Sequence, residues 1–150
     1  MNNLIAEYLK RENVNVFESA PNWRSAIMLC TDSLVKHGYV TENYPKRIIE
    51  ITETYGAYYL IAKDLALLHA RPEDGVIKQQ LALSVIKQPV VFDNKEDNPV
   101  RLFITLCAKD SVSHLEMLQK LAELMMDESR IEKCASITDP EELYQEVVNL

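Results

Sequence analysis

The middle of the chain holds a block of β-prone runs, several of them apolar at nearly every position. The runs cover residues 58–61, 65–68, 81–86, 90–92 and 100–106. A strand that is apolar throughout must be covered on both of its faces. Helical patterns precede and follow this block, so the order predicts an α/β (α+β) domain. We expect a three-layer sandwich with helices on both faces of a mixed central β-sheet.

Two helix signals lie on the N-terminal side of the block. Asn22 can cap a helix that Gly38 ends, and a second helix is expected from residues 41–44 to Gly56. One face of the first helix is apolar and is formed by Trp23, Ala26, Ile27, Cys30 and Leu34. The pattern therefore places two helices ahead of the sheet in the chain.

Further helix signals follow the block. Ser113 and Glu116 have the S-x-x-E spacing of a capping box, and apolar residues recur at helical spacing after them. We expect a helix to begin there, with His114 at or beside its first position, where unpaired backbone N–H groups favour an anion. Two shorter helices are expected over residues 127–135 and 139–148.

Length and composition favour a single domain over residues 1–150. Of these residues 47% are hydrophobic, enough for a sizeable core, and no Gly/Ser/Pro-rich linker divides them. No apolar stretch is long enough to cross a bilayer, and residues 1–7 lack the order of a signal peptide. We therefore expect a cytoplasmic protein with no direct membrane insertion. Residues 93–99 are expected to form a solvated hairpin loop.

Charge and residue spacing argue against several kinds of ligand. A net charge of −7 with dispersed Lys and Arg argues against nucleic acid as a partner. Cys30, Cys107 and Cys134 include no C-x-x-C pair and are expected to be buried free thiols. The histidines do not have the spacing of metal ligands on one helix, so no metal site is expected.

His69 and Arg71 follow the point where the apolar run 65–68 ends. One ring nitrogen of a histidine there can be oriented by the protein while the other faces outward, which suits nucleophilic attack at neutral pH. Arg71 would neutralise an anion bound on that histidine, so the pair suggests a covalent phosphohistidine. A structural or partly exposed histidine would fit the same position.

His114 is the second candidate. If the strand that ends at Leu106 lies beside the strand that ends at Leu68, His69 and His114 reach the same end of the sheet. Two imidazoles, the guanidinium of Arg71 and a helix N-terminus would then converge. Taken alone, His114 is also explained as a solvated residue in the first turn of a helix, because a capping box does not require it.

Residues along nearly the whole chain resemble a known family. They are Trp23, Ala26 and Ile27, then residues 38–40 with Tyr44, then residues 56–62 leading to His69-Ala70-Arg71-Pro72, and finally Asp110 with His114, Leu115, Leu118 and Leu121. In these residues the chain resembles the enzyme IIA components of the bacterial phosphoenolpyruvate-dependent sugar phosphotransferase system (PTS), in the fructose-mannitol superfamily. The Arg-Pro pair after His69-Ala70 is most similar to the branch with the ascorbate and cryptic mannitol IIA proteins.

The resemblance implies a phosphocarrier. His69 would accept a phosphoryl group from the phosphorylated carrier protein HPr, by resemblance on Nε2, and pass it to a cysteine of a cognate IIB component during sugar uptake. His114 would lie beside the phosphosite and assist. The IIC membrane permease would be an indirect partner, and no metal or organic cofactor is needed.

Two positions depart from the family pattern. The family usually has proline immediately before the active histidine, where this chain has Leu68, so the backbone is less restricted and keeps an N–H group. Mannitol IIA proteins carry an active-site arginine at the position of Glu53. We therefore expect Arg71 to supply the stabilising charge, and Glu53 could orient an imidazole.

Two other functions fit the same sequence. A regulatory module could keep the phosphorylatable fold and report its phosphorylation state by binding a target protein. A plain interaction domain without phosphorylation would explain Leu68 as decay of the site. The phosphocarrier is favoured because His69, His114 and Arg71 are all retained.

Overall fold

A computed structural model describes residues 5–92 and 98–149. Along the chain, helices come before and after a central group of strands. The elements are α1 (Ile5–Tyr8), β1 (Leu9–Phe17), α2 (Trp23–Lys36), α3 (Asn43–Tyr55), β2 (Leu60–Ala62), β3 (Leu65–Leu68), a 3-10 turn (Pro72–Asp74), β4 (Gln80–Val90), β5 (Val100–Cys107), α4 (Ser111–Met125), α5 (Glu128–Ala135) and α6 (Pro140–Val148). None of the helices in these ranges is long and apolar enough to cross a membrane.

The strands form one five-stranded sheet in the order β1-β4-β5-β3-β2. β1 runs parallel to β4, and β3 runs parallel to β5, with Leu68 opposite Thr105. β4 and β5 are antiparallel, as are β2 and β3. The sheet is therefore mixed, which confirms the predicted fold class.

Alternate residues of the central strands pack into two separate cores. Leu65 and Leu67 of β3 belong to the core under α4, α5 and α6, whereas Ala66 and Leu68 belong to the core under α2 and α3. All four are buried, which explains the uninterrupted apolar run. Removing apolar surface from water on both faces stabilises such a sheet by about 25 cal/mol per Å². The three-layer sandwich is confirmed.

The N-terminal helices follow their predicted signals. The side chain of Asn22 accepts a hydrogen bond from the Ser25 N–H at 2.9 Å and caps α2. Gly38 follows α2 with a φ of 78°, and Gly56 ends α3 with a φ of 89°. Both values lie in the left-handed region, which a residue with a Cβ adopts at a cost.

The cysteines are also as expected. Cys30, Cys107 and Cys134 are buried and free. Burial raises the pKa of Cys30 and of Cys107 to about 12, so both stay protonated and unreactive at neutral pH.

Several predicted boundaries were wrong. The sequence pattern did not predict β1, because Lys10 to Glu12 are polar and exposed and obscure its alternation. Residues 90–92 do not form a separate strand, since Val90 is the last residue of β4. The run over residues 58–61 becomes the shorter β2, which starts at Leu60. Residues 93–97 of the predicted hairpin loop lie outside the described residues.

The start of α4 needs a correction as well. Ser113 does not cap this helix; the carboxylate of Asp110 does, by accepting the Ser113 N–H at 2.7 Å. α4 therefore begins at Ser111, and His114 is its fourth residue rather than its first. Asp is at least as good an N-cap as Ser, so the earlier of two possible caps is used.

Candidate functional site

Two neighbouring parallel strands bring the two histidines together. β3 ends at Leu68 and is followed by His69, while its neighbour β5 ends at Cys107 and leads into α4 with His114. Because parallel strands end at the same edge of a sheet, both connections emerge there. The ring centroids of His69 and His114 are 5.6 Å apart. The predicted convergence of the two imidazoles is therefore present.

The ring of His69 is held in one orientation by the backbone. Its Nδ1 lies 2.7 Å from the carbonyl oxygen of Leu67. A carbonyl oxygen can only accept a hydrogen bond, so Nδ1 carries the proton and the neutral ring has its lone pair on Nε2. His69 is partly buried. The site thus contains an oriented imidazole whose unprotonated nitrogen is Nε2.

Leu68 holds the backbone before His69 in place of a proline. Its side chain is fully buried, and the residue pairs with Thr105 in the β3–β5 ladder. Strand pairing restricts this backbone, so the segment before His69 is ordered without the ring of a proline.

His114 lies in the first turn of α4, one edge of the cleft. Its own N–H donates to the Asp110 carbonyl at 3.0 Å. This amide is therefore not available to an anion, contrary to the expectation from the sequence. Burial, and then the proximity of His69, lowers the pKa of His114 below its usual value of 6.5. At neutral pH the ring is uncharged and carries one N–H that it can donate.

Arg71 borders the cleft but is bound by acidic neighbours. Its Nε and Nη2 each lie 3.3 Å from carboxylate oxygens of Asp74, and its Nη1 lies 3.6 Å from Glu73. The side chain of Asp74 is only 8% exposed and also accepts the backbone N–H of Arg71 at 3.0 Å. These bonds to Asp74 raise the pKa of Arg71. The guanidinium is therefore positioned by a buried carboxylate.

Arg71, His69 and His114 line a common cleft of about 520 Å³. Tyr58 and Ser111 complete two of its sides, so the cleft spans the ends of both strands and the start of α4. Such a cleft can hold a phosphoryl group between an imidazole nucleophile and several hydrogen-bond donors.

Glu53 is not among the residues that line this cleft. It lies on α3, and its carboxylate accepts hydrogen bonds from Nε and Nη2 of Arg24, at 3.2 and 2.9 Å. The group that orients the imidazole of His69 is the carbonyl of Leu67 rather than Glu53.

Two tyrosines to which the sequence analysis assigned no role contact the His69 segment. The ring of Tyr58 meets the His69 ring edge-on, with centroids 5.2 Å apart, and its hydroxyl donates to the His69 carbonyl. The hydroxyl of Tyr44 accepts the Ala70 N–H at 3.0 Å. Tyr44 is separated from Ala70 by 26 positions, so no local spacing reveals this contact.

No group of three or more His, Cys, Asp or Glu side chains in residues 5–92 and 98–149 is arranged to hold a metal ion. Imidazole, guanidinium, hydroxyl and carboxylate groups line the cleft, the carboxylates being those of Glu73 and Asp110.

Comparison with known proteins assigns the family. The family model for the phosphoenolpyruvate-dependent sugar phosphotransferase system, EIIA 2, matches residues 7–149. The chain belongs to this family. The cryptic mannitol-specific phosphotransferase enzyme IIA component of Escherichia coli K12 is 34% identical over 139 residues, which are 93% of this chain and 94% of that protein.

Other IIA proteins support the same assignment. A solution structure of the cryptic mannitol enzyme IIA from Escherichia coli matches with a TM-score of 0.91 and 32% identity, over 97% of this chain and 99% of that one. The ascorbate-specific PTS EIIA component of Shigella boydii is 29% identical, over 89% of this chain and 88% of that one. These relatives confirm the predicted branch.

One solved structure contains a partner. It is the complex of enzyme IIA and phosphorylated enzyme IIB of the Escherichia coli mannitol system. This IIA protein matches it with a TM-score of 0.77 and 25% identity. The match covers 94% of this chain and 98% of that one.

Proposed function

We propose that this IIA protein is a cytoplasmic phosphocarrier of sugar uptake. His69 accepts a phosphoryl group from phosphorylated HPr and passes it to a cysteine of a cognate IIB component, and the IIC permease is served indirectly. The observation that carries the proposal is the 2.7 Å contact between Nδ1 of His69 and the Leu67 carbonyl, because it leaves Nε2 free of a proton. The relative that forms a complex with phosphorylated IIB supports the choice of acceptor.

The transfer is an exchange of one bond to phosphorus for another. The lone pair on Nε2 of His69 attacks phosphorus, the Nε2–P bond forms, and the bond between phosphorus and its donor group breaks. The donor group keeps the electron pair of the broken bond. Nδ1 keeps its proton throughout, held on the Leu67 carbonyl, so no external base is required.

The neighbours of His69 stabilise the negative charge of the phosphoryl group. His114 donates its N–H to a phosphoryl oxygen, and its ring becomes easier to protonate once a negative phosphoryl group is attached to the neighbouring imidazole of His69. Arg71, held by Asp74, supplies a fixed positive charge at the border of the cleft. Positioning and electrostatics are the usual contributions of a protein to phosphoryl transfer.

Exposed apolar and aromatic residues lie beside lining residues of the cleft in the chain or line it themselves. Val112 and Leu115 on the first turns of α4 are 68% and 56% exposed, and Tyr58 is 37% exposed. A small patch of this kind suits the transient docking of two successive protein partners.

The proposal is tested by reconstitution. The protein is incubated with phosphoenolpyruvate, enzyme I and HPr, and intact mass is measured before and after acid treatment. We expect one acid-labile phosphoryl group on the wild type and none on His69→Ala, while His37→Ala, which alters the histidine at the end of α2, serves as the matched control. A phosphoryl group that persists on His69→Ala would refute the assignment.

The second half of the reaction separates a carrier from a regulator. Phosphorylated protein is mixed with a purified IIB domain, and the transfer of label to the IIB cysteine is followed. A carrier loses its phosphoryl group to a cognate IIB. Stable phosphoprotein that IIB domains leave unchanged would favour the regulatory alternative.

A further inference from the structure

The peptide group that joins His69 to Ala70 is bound on both sides by tyrosine hydroxyls. Its carbonyl oxygen accepts a hydrogen bond from the Tyr58 hydroxyl. Its N–H donates to the Tyr44 hydroxyl at 3.0 Å. The Tyr44 hydroxyl in turn donates to the Leu106 carbonyl at 2.6 Å, and so links the segment after β3 to the end of β5.

The two tyrosines lie near opposite ends of α3 in the chain. Tyr44 lies in the first turn of this helix and is fully buried. Tyr58 follows Gly56 at the other end, where the positive φ of the glycine turns the chain and the Tyr58 N–H donates to the Gly56 carbonyl at 2.9 Å. Tyr44 therefore belongs to α3 itself, and Tyr58 lies three residues beyond its last residue.

Both hydroxyls remain protonated at neutral pH. Burial, followed by the nearby charge of Asp74, raises the pKa of Tyr58 to about 12. Burial also raises the pKa of Tyr44. Each hydroxyl therefore keeps the proton that it donates to a backbone carbonyl.

The orientation of the His69 ring depends on the peptide groups on both sides of its Cα atom. On the N-terminal side, Leu68 is held in the ladder with β5. On the C-terminal side, the two hydroxyl bonds described above hold the His69–Ala70 peptide group. Rotation about the N–Cα bond of His69 moves this peptide group and the ring together, and would take the ring away from the Leu67 carbonyl, which its Nδ1 contacts at 2.7 Å. Holding the peptide group therefore also holds the ring.

We propose that Tyr58 and Tyr44 are positioning residues for phosphoryl transfer at His69. Together they fix the peptide group that follows His69, and thereby the tautomer of the His69 imidazole and the direction from which its Nε2 attacks. The inference rests on the proposed function of His69. Neither tyrosine needs to touch the phosphoryl group for this role.

The test is the Tyr58→Phe variant. It keeps the ring that lies edge-on to His69 and removes only the hydroxyl. We expect kcat for phosphorylation by phosphorylated HPr to fall by about 10- to 100-fold, with KM for HPr unchanged, because a displaced nucleophile slows the chemical step without altering docking. The matched control is Tyr55→Phe, since Tyr55 is 81% exposed and ends the same helix. It should behave as wild type.

Imidazole ¹⁵N NMR provides a readout that does not require activity. In the wild type the signals of His69 should report a proton on Nδ1 over nearly the whole population. In Tyr58→Phe we expect a measurable fraction with the proton on Nε2, and in Tyr44→Phe a change in the same direction. A variant that had merely lost stability would keep the wild-type signals below its unfolding temperature.

The outcomes separate the two proposals. A wild-type protein that is never phosphorylated refutes the proposed function, while the NMR comparison still tests the positioning. An active wild type, with Tyr58→Phe equal to it in kcat and in ¹⁵N signals, overturns the inference. A rise in KM alone would also overturn it, because Tyr58 would then belong to the docking surface.

Discussion

Replacing Tyr44 by Phe should reveal how strongly one buried hydroxyl holds the two strand ends together. The substitution removes a single oxygen atom and leaves the ring in its core, so no cavity forms. The hydroxyl accepts the Ala70 N–H at 3.0 Å and donates to the Leu106 carbonyl at 2.6 Å. Without it, a partly buried donor loses its partner and a buried acceptor loses one of its possible partners.

The magnitude follows from these two bonds. Each hydrogen bond contributes about 1 kcal/mol net, and a buried group left without a partner costs about 1–3 kcal/mol. We expect the free energy of unfolding to fall by about 2 kcal/mol, since the Leu106 carbonyl lies in the β4–β5 ladder and Ala70 is not fully buried. For a domain of this size that corresponds to a decrease in Tm of about 4–8 °C.

Urea unfolding followed by circular dichroism measures the change, with an unchanged m-value as the sign that the folded and unfolded states are otherwise alike. Tyr55→Phe is the control, because its 81% exposed ring should alter stability by less than about 0.5 kcal/mol. A loss below about 0.5 kcal/mol for Tyr44→Phe would refute the idea that this hydroxyl ties β3 to β5.

Three further predictions concern the same site. The lowered pKa of His114 means that the unfolded state binds more protons near pH 6.5, so stability should fall as pH drops through that value, and His114→Asn should remove this part of the urea-midpoint profile. Gly56→Ala forces a Cβ into a φ of 89° and should cost about 1–3 kcal/mol in thermal unfolding, while also displacing Tyr58 and slowing phosphorylation. If Arg71 stabilises the transferring group, the rate at saturating partner should decrease from wild type to Arg71→Lys to Arg71→Gln, as single-turnover transfer assays can measure. Equal rates in all three proteins would remove Arg71 from the catalytic group.

Local pattern was sufficient for much of the fold. The Asn22 cap, the Gly56 terminus and the uninterrupted apolar run of β3 each depend on residues within one turn or strand, and each is present as predicted. The start of α4 shows where such reasoning fails. Asp110 and Ser113 both offer a cap, and the choice between them depends on where the chain leaves β5.

Strand order is a tertiary property. The convergence of His69 and His114 requires β3 and β5 to pair in parallel, and the sequence alone could state this only as a condition. The edge strand β1 escaped detection because its polar residues 10–12 hide the alternation, and its partner β4 lies about 70 positions away in the chain.

The sequence by itself singled out His69, the proposed nucleophile, because a histidine placed directly after a buried strand is recognisable from its neighbours. The tertiary structure decided what surrounds it. Arg71 is held by Asp74, Glu53 pairs with Arg24, and the peptide after His69 is bound by distant tyrosines. Secondary structure follows from residue periodicity over a few positions, whereas these contacts depend on how separate elements pack, which no short pattern encodes.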